Sequence, residues 1–124
     1  MKSPTLAAAY ATLYPGLCAV ARSHGYALAL HGTLTCDLDL LACPWTEDAC
    51  DSETLMEAIK NHLGAVFFPD ELKRCGLNKE QVEEALMHAK WSSDIKPHGR
   101  RAWSLHIGNG AYVDLSVMPR REPQ

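Results

Sequence analysis

The strongest chemical signal in this sequence is a set of three aspartates: Asp37 and Asp39, two residues apart, and Asp114 near the other end of the chain. Residues 36–43 begin by alternating acidic and apolar side chains. On a β-strand that alternation puts Asp37 and Asp39 on one face and Leu38 and Leu40 on the other. Asp114 falls in a second alternating run, where an unpaired ionised carboxylate is costly, so it must be paired, lie at an edge, or have a task. If the three carboxylates converge, their repulsion amounts to several kcal/mol at intermediate dielectric. A divalent cation relieves it. Mg²⁺ prefers oxygen ligands, keeps several waters and completes its shell with phosphate oxygens of a substrate. Two such ions clamp the attacking and leaving oxygens of an in-line displacement. Nucleotidyl transfer is the chemistry that such a triad suits.

The elements that would position these residues can be read from periodicity and punctuation. In the Ala- and Leu-rich segment from Leu6 to His24, Pro15 and Gly16 interrupt the pattern, which predicts a helix opening at Pro15 and closed by Gly25. Residues 26–31 are short and apolar between Gly25 and Gly32, and read as a buried strand. The Asp37/Asp39 strand follows, closed by Pro44 and Trp45. Leu55, Ile59 and Leu63 then form a helical stripe, with Ser52 or Thr46 as its cap and Gly64 at its end. Residues 65–69 suggest a short strand and 70–75 a turn or brief helix. Asn78 caps a further amphipathic helix running from Lys79 to about Trp91, with Val82 and Leu86 inward. Residues 91–99 have loop composition.

The last unit reads as a hairpin, residues 101–107 and 111–117 around the turn 108–110. With Ile107 opposite Ala111, Leu105 meets Val113 and Trp103 meets Leu115 on one apolar face. The other face places His106 beside Tyr112 and Ser104 beside Asp114. The predicted architecture is α+β: a small mixed or antiparallel sheet with helices packed mainly on one face. A length of 124 residues suits one domain, with 1–14 and 119–124 expected to be peripheral.

A strand ending in glycine and a small hydroxyl residue (Gly32, Thr33), then Asp-x-Asp (Asp37, Asp39), then a lone strand aspartate (Asp114), resembles the polymerase-beta-like nucleotidyltransferase superfamily. The resemblance covers roughly residues 26–43 and 111–117. The whole chain is also similar to short single-domain phage or prophage proteins of this fold. What the resemblance implies is that Gly32 and Thr33 approach a nucleoside triphosphate, that Asp37 and Asp39 ligate Mg²⁺, and that Asp114 helps activate the attacking hydroxyl. Thr33 stands where serine is more usual. Only Leu34, Thr35 and Cys36 separate it from Asp37, a shorter connection than the family's.

Around the triad, Arg100 and Arg101, with Lys96 and His98, are the candidates for cationic phosphate contacts, Arg being suited to bidentate binding. Solvated loop charge is the alternative. His31 and His106 could relay a proton, position a phosphate or be structural. Trp45, Trp91 and Trp103 could stack a base, although core packing is expected of Trp103 and Trp45. A net charge of −3 supplies no global field toward polyanions, so nucleic acid as a partner stays open. Five cysteines, an odd number without paired spacing or an apolar leader, predict reduced thiols in a cytoplasmic protein rather than a disulfide framework or zinc site. No apolar run is long enough to cross a bilayer. Two functions are compatible with these observations: a Mg²⁺-dependent enzyme moving a nucleoside monophosphate from an NTP to a hydroxyl, a protein acceptor included; or a catalytically degenerate module of the same fold, phage or antitoxin-like, that binds a partner protein.

Overall fold

The computed structural model describes residues 7–66, 76, 78–81, 91–108 and 111–120. Its elements are α1 (Ala7–Ser23), β1 (Tyr26–His31), β2 (Leu38–Pro44), α2 (Ser52–Val66), β3 (Trp91–Ile95), a 3₁₀ turn (Pro97–Gly99), β4 (Arg101–Gly108) and β5 (Ala111–Val117). The strands form one mixed sheet in the order β1-β2-β5-β4-β3. Among the described residues only β2 and β5 pair in parallel; β1–β2, β4–β5 and β3–β4 are antiparallel. The expected α+β class holds.

Strand parity decides which face is covered. Leu38, Leu40 and Ala42 of β2, Val113, Leu115 and Val117 of β5, and Trp103 and Leu105 of β4 are all buried. They share one core with Tyr10, Leu13, Leu17 and Ala21 of α1 and Leu55, Met56, Ile59 and Leu63 of α2. Both helices therefore lie against the same face. The opposite face carries Asp39, Asp114, Ser104 and Tyr112, half-buried, and His106, exposed.

Several local expectations are corrected. Helix α1 does not open at Pro15 but contains it. Proline there removes one intrahelical hydrogen bond. Burial of Tyr10 and Leu13 on the preceding turns holds the helix together across that gap, and for the same reason the chain from Ala7 onward is not peripheral. Gly25 does end α1, at φ +87°, where an added Cβ would lie 2.6 Å from the Ala49 backbone. Strand β1 is not buried: it is the sheet edge, and apart from Tyr26 and the half-buried Leu28 its residues are exposed. Trp45 is 80% exposed rather than in the core. The cap of α2 is Asp51, whose Oδ1 accepts the Thr54 amide at 2.7 Å, and Gly64 lies within the helix. Because α2 continues through Val66, residues 65 and 66 are helical and not strand.

Residues 91–95, read as loop, form the edge strand β3. An edge strand pairs on one side only, so its polar Ser92, Ser93 and Asp94 show no apolar alternation to mark it. Across the β4–β5 hairpin the pairs Trp103–Leu115, Ser104–Asp114, Leu105–Val113 and His106–Tyr112 are as expected, but a bulge sets Gly108, not Ile107, opposite Ala111. Asn78 does cap: its Oδ1 accepts the Gln81 amide at 2.9 Å and its own amide donates back to Gln81 Oε1 at 3.0 Å. The remainder of that helix, the expected strand beyond Val66 and the hairpin turn 109–110 lie outside the described residues.

Candidate metal centre

The sheet brings the three aspartates together from two strands that are distant in sequence. The parallel β2–β5 register sets Asp39 directly beside Asp114, and Asp37 immediately precedes β2. One carboxylate oxygen from each of Asp37, Asp39 and Asp114 lies within 4.8 Å of the other two. β5 is the central strand of the five, so Asp114 is at no edge, and it is paired: Ser104 Oγ donates to its Oδ1 at 2.8 Å. His31 stands opposite Asp39 on β1, and the His106 and Tyr112 rings lie 5.5 Å apart at the side of the cluster.

The electrostatics follow from this crowding. The Asp37 carboxyl is held above the ordinary carboxylate range, first by its hydrogen bond to Asp114, then by burial and the Asp114 charge. Asp39 is also raised, first by burial and then by the Asp37 charge. Hard oxygen donors that resist carrying full negative charge together are the donor set that suits Mg²⁺ or Mn²⁺. The donor set of Asp37, Asp39 and Asp114 is one that could hold such an ion.

A pH dependence follows with a definite sign. Between the unfolded aspartate value of about 3.9 and the raised folded values, the folded state holds more protons than the unfolded one. The contribution of Asp37 and Asp39 to stability is thus present at low pH and is lost as pH rises through that window. Asp51 acts oppositely: the Thr54 amide lowers its pKa, so its contribution is lost as pH falls below about 3.9. In EDTA, the urea midpoint of the wild type minus that of the double variant Asp37→Asn, Asp39→Asn is expected to be more favourable at pH 4.5 than at pH 7. Water screens these half-exposed groups, so the change amounts to about 1 kcal/mol or less. Identical pH slopes in the two proteins would exclude the repulsion.

Gly32 touches the cluster. It sits at φ +84°, and a Cβ on it would lie 2.6 Å from Asp39 Oδ2, so only glycine leaves that carboxylate in place. Thr33 is exposed, and its hydroxyl makes one long contact, 3.4 Å from the Thr35 amide. In the tight connection, Leu34 adopts φ 63° and packs against the core. Burial of its side chain offsets the cost of that left-handed conformation.

The arginines do not join the cluster. Arg101 shares strand parity with Trp103, and its guanidinium lies 2.7 Å from Glu53 Oε1 of α2 and 4.7 Å from the Trp103 ring centroid. It is therefore on the covered face, opposite the triad, beside a cleft of about 390 Å³ lined by Glu53, Thr54, Glu57 and Trp103. Arg100 precedes β4 by one residue and lies about 13 Å along the strand from Ser104, at the usual strand rise. Lys96 is ion-paired with Asp94 at 2.9 Å.

One residue at the site has no signature in the sequence. Tyr10 of α1, fully buried, donates its hydroxyl to Cys36 O at 2.9 Å and accepts the Tyr112 amide at 3.1 Å. A single tyrosine in an Ala-rich helix looks like ordinary packing. Among the described residues, Cys18, Cys36, Cys43 and Cys50 are free thiols; Cys75 lies outside them. No described helix is long and apolar enough to cross a membrane. No family model, curated protein or solved structure matches the chain.

Proposed function

We propose that the chain is a Mg²⁺-dependent nucleotidyltransferase that moves a nucleoside monophosphate from an NTP to a hydroxyl acceptor. The observation that carries this reading is the convergence of Asp37, Asp39 and Asp114 oxygens within 4.8 Å on the sheet face opposite α1 and α2. The order of glycine turn, Asp-x-Asp strand and later strand aspartate, and the packing of Gly32 on Asp39, support it further. Bound there, Mg²⁺ would neutralise charge on the transferring phosphate and orient it. Asp37 and Asp39 would hold the ion, with Asp114 completing the set. Asp114, kept in place by Ser104, accepts the proton of the attacking hydroxyl. The acceptor oxygen forms a bond to the α-phosphorus as the bond to the bridging oxygen breaks, and pyrophosphate leaves.

Calorimetric titration with ATP, GTP, CTP and UTP in Mg²⁺ tests the proposal. At least one is expected to bind the wild type, and Asp39→Asn is expected to weaken it about tenfold or more, since even outer-shell changes at metal sites reach that scale. Failure of all four to bind the wild type overturns it. One observation favours a second reading, a binding module without transfer: the Arg101 guanidinium is engaged by Glu53 on the covered face instead of facing a triphosphate. A co-purifying protein whose association survives Asp37→Ala with Asp39→Ala would favour that reading.

A further inference from the structure

The parallel ladder between β2 and β5 runs from Leu38–Val113 to Ala42–Val117. One more step would pair Asp37 with Tyr112. In a parallel pair, a residue's N–H donates to the carbonyl of the residue before its partner, so the Tyr112 amide would donate to Cys36 O. The structure has a different arrangement: the Tyr112 amide donates to the Tyr10 hydroxyl at 3.1 Å, and that hydroxyl donates to Cys36 O at 2.9 Å. The phenol oxygen takes the place of a rung. Two hydrogen bonds in series hold the amide nitrogen and carbonyl oxygen about 5 Å apart, where one direct bond would bring them to about 2.9 Å.

The position of that oxygen is set by α1. Tyr10 is wholly buried, in line with Leu13, Leu17 and Ala21 against the core. Asp37 follows Cys36 directly and lies one residue before β2, at this splayed end, and its carboxylate lies within 4.8 Å of the other two.

We propose that Tyr10 is a positioning residue: its hydroxyl, inserted between Cys36 and Tyr112, sets the spread of the β2 and β5 ends and so brings the Asp37 carboxylate onto Asp39 and Asp114. The consequence for metal affinity rests on the function proposed above; the consequence for geometry does not. Tyr10→Phe removes the oxygen and leaves Cys36 O and the Tyr112 amide free to pair directly, which draws Asp37 into the strand. Tyr14→Phe is the matched control. The Tyr14 hydroxyl also ties α1 to the sheet, donating to Leu28 O at 2.7 Å, but it enters no ladder at the cluster.

Two readouts test the proposal on the full chain: metal-free crystal structures of both variants, and Mn²⁺ affinity by calorimetry alongside urea midpoints. Asp37 is expected to leave the cluster in Tyr10→Phe and to stay in Tyr14→Phe. Mn²⁺ affinity is expected to fall about tenfold or more in the first and to stay within about twofold in the second, on the scale of changes that misorient a ligand. An unmoved Asp37 in Tyr10→Phe, or an equal loss of Mn²⁺ affinity in both variants, overturns the proposal. A wild type that binds no Mn²⁺ overturns the metal reading and leaves the crystal structures to decide the positioning. If Tyr10→Phe does not fold, wild-type NMR decides instead: the Tyr10 hydroxyl proton should exchange slowly and show cross-relaxation with the Tyr112 amide, and its absence overturns the inserted rung.

Discussion

Mn²⁺ or Mg²⁺ at a concentration a hundredfold above its dissociation constant is expected to stabilise the wild type by about 2.7 kcal/mol. In a chain of this length that is roughly 10 °C in Tm. Asp39→Asn is expected to show almost none of this gain, because Asp39 stands directly beside Asp114 in the β2–β5 register and its carboxylate is the one against Gly32. Without metal, the order of stability reverses. Asp39→Asn removes a carboxylate whose ionised form is disfavoured first by burial and then by the Asp37 charge, so it should be no less stable than the wild type in EDTA at pH 7. Differential scanning fluorimetry across a metal titration reads both halves. Equal metal gains in the two proteins would sink the assignment of Asp39 as a ligand, and a less stable metal-free variant would sink the repulsion.

The largest loss of stability is expected at Trp103. Its ring is 1% exposed, packs into the core beside Leu115 and lies under the Arg101 guanidinium. Trp103→Ala should cost about 3–5 kcal/mol. Set against a total stability of about 5–15 kcal/mol, this removes a third or more of what holds the domain together. Trp103→Phe should cost far less. The Trp103 Nε1 is buried with no hydrogen-bond partner, so replacing indole by benzene removes an N–H that burial already penalises by about 1–3 kcal/mol. Urea unfolding of the two variants separates packing from polar desolvation. Equal losses in Phe and Ala would mean that Nε1 has a partner in solution.

The core of the sheet could be read from alternation because each residue type there reports its face. Trp103, Leu105, Val113 and Leu115 alternate with Ser104 and Asp114, and both the register and the Ser104–Asp114 pair follow from it. The same parity places Arg101 with Trp103 on the covered face, opposite Asp114. Features whose cause is tertiary left no local mark. The Ile107 bulge, the edge position of β1 and the polar strand β3 depend on what lies alongside each strand. Helix α1 persists through Pro15 because its first turns are buried, which propensity does not record. The triad was legible as a set of candidates, since Asp-x-Asp and a strand aspartate are visible in one dimension. What gathers it, the Tyr10 hydroxyl and the Gly32 contact, is visible only in three.

The parallel β2–β5 pair is a seam between two units of the sheet. β1 and β2 form one antiparallel unit of neighbours in sequence, and β3, β4 and β5 form another. Each unit needs only short loops to close. The β2–β5 seam joins chain segments separated by most of the protein, the slowest kind of contact to reach because loop entropy must be lost before pairing repays it. Asp37 and Asp39 belong to one unit and Asp114 to the other. The carboxylates therefore meet only where the two units pair, and their mutual repulsion opposes that non-local contact.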